Sequence, residues 1–347
     1  MTVPSGRRYS IGMVRRGDSA PRGGIPTARK KEIPSSEPRL VLETDGLSKR
    51  FGDIRAVDGL NLQVREGEVF GLLGPNGAGK STTINLICGL LKSDGGSIRL
   101  FGQDVRPGAE VVKVRVGVCP QDIVVWPKLT CLEQLEFVGV MHGLRPAAAR
   151  VRGEALLADL GLLEKRRRLA ATLSGGLKRR LNLALALIHD PDMVILDEPE
   201  AGLDPQSRVM VREYIRAMAV RKTVLFTTHN MDEAERICDR VAIVDHGRLL
   251  TLDTPGHLKR TVGAGGVLEV PLEGPVPAAL LPELDQLGLQ ALAVDRTLVV
   301  RGADVVSCLP IILERLRAGG LPAGEVKLRE NSLEDVFLAL TGRRLRE

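Results

Sequence analysis

The chain has 347 residues, 44% of them hydrophobic and 27% charged, an ordinary globular composition with room for about two domains. No uncharged apolar run reaches the ~18–20 residues that a bilayer-spanning helix requires, so any membrane role passes through a partner. The formal charge of +6 resides in residues 1–39, where nine bases face three acids, and the balanced remainder argues against a nucleic-acid groove in the folded body.

Residues 1–38 are rich in Gly, Pro, Ser and Arg without hydrophobic periodicity, which predicts a disordered basic tail. From Arg39 the β-rich segments LVLETDGLSKRF and AVDGLNLQVREGEVFGLLGP precede a helix expected over Lys80–Leu91. Strand, glycine loop and helix in succession indicate an α/β fold with a mostly parallel, covered sheet. From Ala109 to about Ala186 apolar residues recur at three-and-four spacing, as in CLEQLEFVGVMHGL and GEALLADLGLLEK, and predict a mainly helical stretch. MVILDEP and TVLFTTH are short continuous apolar runs of the buried parallel-strand type. After Leu258 the stretch TVGAGGVLEVPLEGP marks a boundary, and a small β-α-β-β-α-β-α module follows. Its last segment, LEDVFLALTG, reads as an amphipathic helix closing the fold through Leu333, Val336, Phe337 and Leu340. The five cysteines lack ligand spacing, so neither a zinc site nor a disulfide framework is expected. The single tryptophan, Trp126, is assigned to core packing, with contact to a membrane partner as the alternative.

Gly74-Pro75-Asn76-Gly77-Ala78-Gly79-Lys80-Ser81 matches G-x-x-x-x-G-K-[ST] between an apolar strand and a helix. Such a loop turns successive N–H groups inward at a helix N-terminus, while Lys80 reaches the β/γ oxygens and Ser81 offers an oxygen to Mg²⁺. Asp197 ends the MVILDEP strand where a carboxylate can hold the metal, and Glu198 beside it can polarise an attacking water. Ser174-Gly175-Gly176 opens another helix, a second anion site in a chain with one phosphate loop. That surplus suggests service to a neighbouring subunit's nucleotide.

In chain order, Phe51, GPNGAGKST, Gln121 in VCPQD, LSGGLKRRL, MVILDEP, GLDP at Gly202–Pro205 and TTHNMDEAE with His229 resemble the nucleotide-binding subunit of ABC transporters. The ending NSLEDVFLALTGRRLRE is similar to the C-terminal signature of the daunorubicin/doxorubicin-resistance type of export ATPase. The resemblance implies an α/β P-loop NTPase of ABC type over residues 39–258, with a helical subdomain at about 122–186 and a small α+β accessory or regulatory domain over 262–347. It implies ATP as substrate with Mg²⁺, and a homodimer sandwiching two ATP molecules. Phe51 would stack on adenine, and Gly74, Pro75, Asn76, Gly77, Ala78, Gly79, Lys80, Ser81 and Thr82 would wrap the phosphates. Ser81, Gln121 and Asp197 would serve the metal, while Glu198, His229 and Lys80 would be catalytic. Ser174, Gly175, Gly176 and Asp204 would act on the partner's ATP.

By the same resemblance the subunit would sit on the cytoplasmic face of the membrane, bound to separately encoded permease subunits, with no nucleic acid expected. Three positions depart from the family pattern: Leu177 stands for the commonest Gln, Glu200 for Thr, and Phe51 for Tyr. A soluble ABC-type ATPase acting on nucleic acid or the ribosome is the alternative from another class, although the chain has neither a second cassette nor a coiled-coil insertion. A nucleotide-gated regulatory subunit with slow hydrolysis is the third reading.

Overall fold

A computed structural model describes residues 39–261, 266–302 and 305–342. The expected tail, residues 1–38, lies outside the described residues. At the centre is a six-stranded sheet in the order Arg248–Asp253, Arg240–Asp245, Val69–Leu73, Thr223–Thr228, Met193–Asp197 and Val116–Cys119. The outermost Arg248–Asp253 strand is antiparallel to its neighbour and all other pairs are parallel. Every residue of Val69–Leu73, Met193–Asp197 and Thr223–Thr228 is buried, which is why these strands read as unbroken apolar runs rather than alternating ones.

Alternate residues of the central strand serve two cores, as the two-residue side-chain period requires. Phe70 and Leu72 pack with Leu42, Leu60 and Leu62 of an antiparallel sheet built from Leu40–Phe51, Ile54–Arg65, Gly95–Leu100 and Gln103–Asp104. Val69 and Leu73 pack on the other face with Leu135, Leu157, Leu181 and Leu185 from the helical segment. That segment comprises helices Cys131–Met141, Pro146–Asp159 and Gly175–Leu187. The first of them starts with a capping box between Thr130 and Glu133.

Three local expectations are corrected. The helix from Lys80 ends at Ile87, because Gly89 turns the chain with φ 63°. Val116–Cys119, inside the stretch expected to be helical, forms the edge strand of the parallel sheet. Trp126 is 40% exposed rather than packed in a core, and meets Phe137 edge-to-face at 5.6 Å.

The C-terminal elements follow the expected order: Gly266–Pro271, Leu280–Gln286, Gln290–Val294, Thr297–Gly302, Val305–Ala318, Lys327–Glu330 and Leu333–Thr341. Their four strands form one antiparallel sheet with a core of its own, containing Leu268, Val270, Leu298, Val300, Ile312 and Leu316. The last helix instead buries Leu333, Val336 and Phe337 in the core of the parallel sheet, beside Met231, Ala234, Ile237 and Leu258, while Leu340 is exposed. At its start Asp335 is 2% exposed and accepts from Arg301 Nη2 and Arg329 Nη2 at 2.9 Å each. Burial pushes the Asp335 carboxyl up, but hydrogen bonds from Arg329 and Ser332 outweigh it and hold the group well below the usual carboxylate range. This buried charge cluster joins the small sheet to the helix that docks on the main body.

Candidate nucleotide-hydrolysis site

Parallel strands deliver their C-terminal ends to one edge of the sheet, the usual location of ligands in open α/β folds. Leu73, the residue before the glycine loop, pairs in register with Thr228, and Asp197 with Thr227. The topology therefore brings together the phosphate loop, the Asp197–Glu198 pair and His229, three segments far apart in sequence.

The loop's shape depends on its glycines. Gly79 has φ 97°, and a Cβ there would lie 2.2 Å from the Ala56 carbonyl oxygen, so any side chain is excluded by both backbone conformation and space. The Lys80–Ile87 helix begins immediately afterwards without a side-chain cap. Its first N–H groups and positive dipole end are thus presented to an anion. Lys80 Nζ donates to the carbonyl oxygens of Gly74 at 2.7 Å and Pro75 at 3.0 Å, and lies 3.7 Å from Glu198 Oε1. Burial pushes the Lys80 ammonium down, and the carboxylates of Glu198 and Asp197 act in the opposite direction. Lys80→Ala is expected to raise the Kd for ATP about 10–100-fold through loss of a charge-assisted phosphate contact. Equilibrium titration with a fluorescent ATP analogue checks this.

Glu198 occupies an unusual backbone position, with φ 46°. Such a conformation costs a non-glycine residue on the order of 1–2 kcal/mol. It is fixed by the Glu198 N–H, which donates to both the carbonyl oxygen and Oγ1 of Thr227 at 3.1 Å. The turn points the carboxylate inward: His229 Nδ1 lies 3.1 Å from Oε1, and Gln121 Nε2 donates to Oε2 at 3.5 Å. Thr227 Oγ1 also donates to Asp197 Oδ1 at 2.5 Å, so one hydroxyl positions both carboxylates. The Ser81 hydroxyl, the Gln121 amide oxygen and the Asp197 carboxylate are hard oxygen donors, a set that fits Mg²⁺ rather than a softer metal.

Of the predicted residues, Lys80, Asp197, Glu198, Gln121 and His229 converge here. Ser174, Gly175, Gly176 and Asp204 form a separate cluster. Ser174 caps the Gly175–Leu187 helix by accepting from the Leu177 N–H at 3.4 Å, and Asp204 caps the next long helix through the Ser207 N–H at 3.0 Å. Arg180 Nη2 of the first of these helices donates to Ser207 Oγ of the second at 2.8 Å, and a Cβ at Gly176 would lie 3.6 Å from Asp204 Oδ1, so the two capped turns are neighbours. The departing Leu177 is half-buried against the principal core. Phe51 is 48% exposed at the turn between the first two strands, with Lys49 Nζ over its ring at 5.6 Å from the centroid.

Sequence reading missed three positioning residues. Thr227 is described above. Arg179 Nη1 donates to the carbonyl oxygens of Pro120 at 3.1 Å and Gln121 at 2.5 Å. Asn182 Oδ1 accepts from the Val124 N–H at 3.2 Å. Both are one helical face of KRRLN, and their spacing of three was the available signal. Through them the helix behind Ser174-Gly175-Gly176 holds the Gln121 loop.

A family model described as ABC transporter matches residues 57–201. The chain is 40% identical over 313 residues to Nod factor export ATP-binding protein I of Paraburkholderia xenovorans (strain LB400), spanning 89% of this chain and 100% of that protein. It is equally 40% identical over 318 residues to the daunorubicin/doxorubicin resistance ATP-binding protein DrrA of Streptomyces peucetius, spanning 89% of this chain and 94% of that one. A solved ATP binding subunit of an ABC transporter is similar with TM-score 0.59 and 31% identity, covering 64% of this chain and 92% of that chain. The parallel sheet, the loop at its edge and likeness along nearly the whole length of such relatives lead to one conclusion: the chain belongs to the ABC transporter family and is an ATPase.

Proposed function

We propose that the chain is the motor subunit of an exporter, hydrolysing ATP with Mg²⁺ as a homodimer on the cytoplasmic face of the membrane and driving separately encoded permease subunits. The export and drug-resistance relatives support a drug, lipid or glycan as cargo. Phe51 stacks on adenine, residues Gly74 to Thr82 wrap the phosphates, and Lys80 exchanges its loop carbonyls for β/γ oxygens. Ser81, Asp197 and Gln121 would hold Mg²⁺, which when bound would neutralise charge at the phosphates. Glu198 accepts a hydrogen bond from the attacking water, and His229 contacts the γ-phosphate. Water adds to the γ-phosphorus, the bond to the bridging oxygen breaks, and ADP and inorganic phosphate leave. Ser174, Gly175, Gly176 and Asp204 of a second copy complete the site, so closure of the dimer depends on ATP. The three domain assignments, a tail over residues 1–38, the ATPase domain over 39–258 and an accessory domain over 262–347, form part of this proposal.

The observation that supports the export reading is that the segment holding Gln121 runs from its hydrogen bond with Glu198 to an exposed Trp126–Phe137 pair. Gln121 links to Glu198, and further along the same segment Ile123, Val124 and Trp126 are exposed, with Trp126 edge-to-face against Phe137 at 5.6 Å; Val140 and Met141 are also exposed on the Phe137 helix. Trp126 N–H is anchored to Gln134 Oε1 at 2.9 Å, which keeps the aromatic side chain at the surface. Exposed large apolar side chains gathered on one segment and the helix beside it mark a protein-docking surface. No helix among the described residues is long and apolar enough to cross a membrane, so the partner supplies the pathway. Trp126→Glu combined with Phe137→Glu should lower recovery of the chain with the membrane fraction about tenfold. Unchanged recovery, measured by quantitative immunoblotting, would remove this face from the coupling role.

A further inference from the structure

Glu200 departs from the family pattern and is used by no step above. It is 9% exposed, two residues after Glu198, and neither carboxyl oxygen has a hydrogen-bond donor among the described residues. The polar group facing it is itself an acceptor: Glu233, 7% exposed, on the Met231–Ile237 helix that follows His229. Glu233 is already engaged by Arg212 Nη1 at 3.0 Å. The other charged or titratable groups around the pair are Arg208, on the same Pro205–Ala219 helix as Arg212, and the buried Cys238 thiol at the end of the His229-side helix. Burial pushes that thiol up, so it brings no charge.

Two ionised carboxylates facing each other in a buried pocket repel strongly, whereas one shared proton satisfies an oxygen on each. We propose that Glu200 is a positioning residue: as the neutral acid it donates its proton to the Glu233 carboxylate and ties the segment after Glu198 to the helix that follows His229. Loss of that proton drives the two elements apart and disturbs the 3.1 Å contact between His229 and Glu198. Burial and the neighbouring Glu233 charge push the Glu200 carboxyl up from 4.5 to about 8, in keeping with the geometry. A raised folded-state value means the tie is complete below the ordinary value and is lost as pH rises through about 8. The proposal rests on the ATPase site described above and adds a pH-dependent element specific to this chain.

The test is the steady-state ATPase profile of the full chain from about pH 6 to 9.5 for wild type, Glu200→Gln and Glu198→Gln. Wild-type kcat should fall with an apparent pKa of about 8 while KM changes little. Glu200→Gln, whose amide can still donate to Glu233, should lack this alkaline limb. An identical limb in Glu200→Gln, or no limb in wild type, overturns the proposal. Glu200→Thr removes the same proton with a smaller side chain, so a retained limb in either folded variant is decisive. Wild-type turnover by Glu198→Gln would instead defeat the ATPase-site assignment. An inactive Glu198→Gln with an unchanged limb in Glu200→Gln defeats the Glu200 proposal alone.

Discussion

Glu198→Gln is expected to bind ATP at least as well as wild type and to hydrolyse it about 10²–10³-fold more slowly. The amide keeps the size of the side chain and can still bond to Gln121 and His229, but it withdraws the negative charge needed to polarise water. It also removes the ion pair with Lys80 at 3.7 Å, leaving the ammonium with its hydrogen bonds to the Gly74 and Pro75 carbonyl oxygens and the field of Asp197. Lys80 is then freer to meet phosphate, which is why affinity is not sacrificed with rate. Phosphate release measured beside an ATP titration separates the two effects. Light scattering of the same variant with ATP should show a trapped dimer, because in the proposed homodimer Ser174 and its neighbours grip the partner's nucleotide only while it remains intact. Hydrolysis at the wild-type rate would take Glu198 out of its assigned role.

Asp335→Ala should cost about 3–5 kcal/mol of stability, since removing one member of a buried ion cluster strands the other. The stranded group is Arg301, 2% exposed, whose Nη2 donates to Asp335 Oδ1. Arg329 retains Glu269 at 2.8 Å, so its loss is partial. Asp335 also closes the capping box with Ser332, and its removal frays the helix that carries Leu333, Val336 and Phe337 into the main core. Denaturant unfolding of the full chain gives the energy. Hydrogen exchange over Leu333–Thr341 should show that helix opening first. A variant as stable as wild type would mean that the cluster contributes little to holding the small sheet in place.

The parallel sheet was legible because strands buried on both faces leave unbroken runs such as VFGLL, MVILD and TVLFTT. The phosphate loop was legible because its glycines answer to backbone geometry, as Gly79 with φ 97° illustrates. Val116–Cys119 was hidden because four apolar residues beside a helix satisfy either period. Trp126 was misjudged because aromatic bulk favours burial on average, whereas here the ring rests edge-to-face on Phe137 at the surface. The last helix was recognised as amphipathic, but not that its apolar face leaves its own module for the main core. Thr227, Arg179 and Asn182 act through carbonyls and hydroxyls remote in sequence, and such partnerships exist only once the fold brings them together. Glu200 was visible as a departure, yet its meaning waited on Glu233, which faces it from the His229-side helix.

The most direct test of the motor-subunit account is purification of the full chain from detergent-solubilised membranes, with identification of co-eluting proteins by mass spectrometry. The account predicts a multispanning membrane protein in stoichiometric amount, with ATP turnover in the complex that Glu198→Gln abolishes. Recovery with ribosomes or nucleic acid and no membrane protein would contradict it.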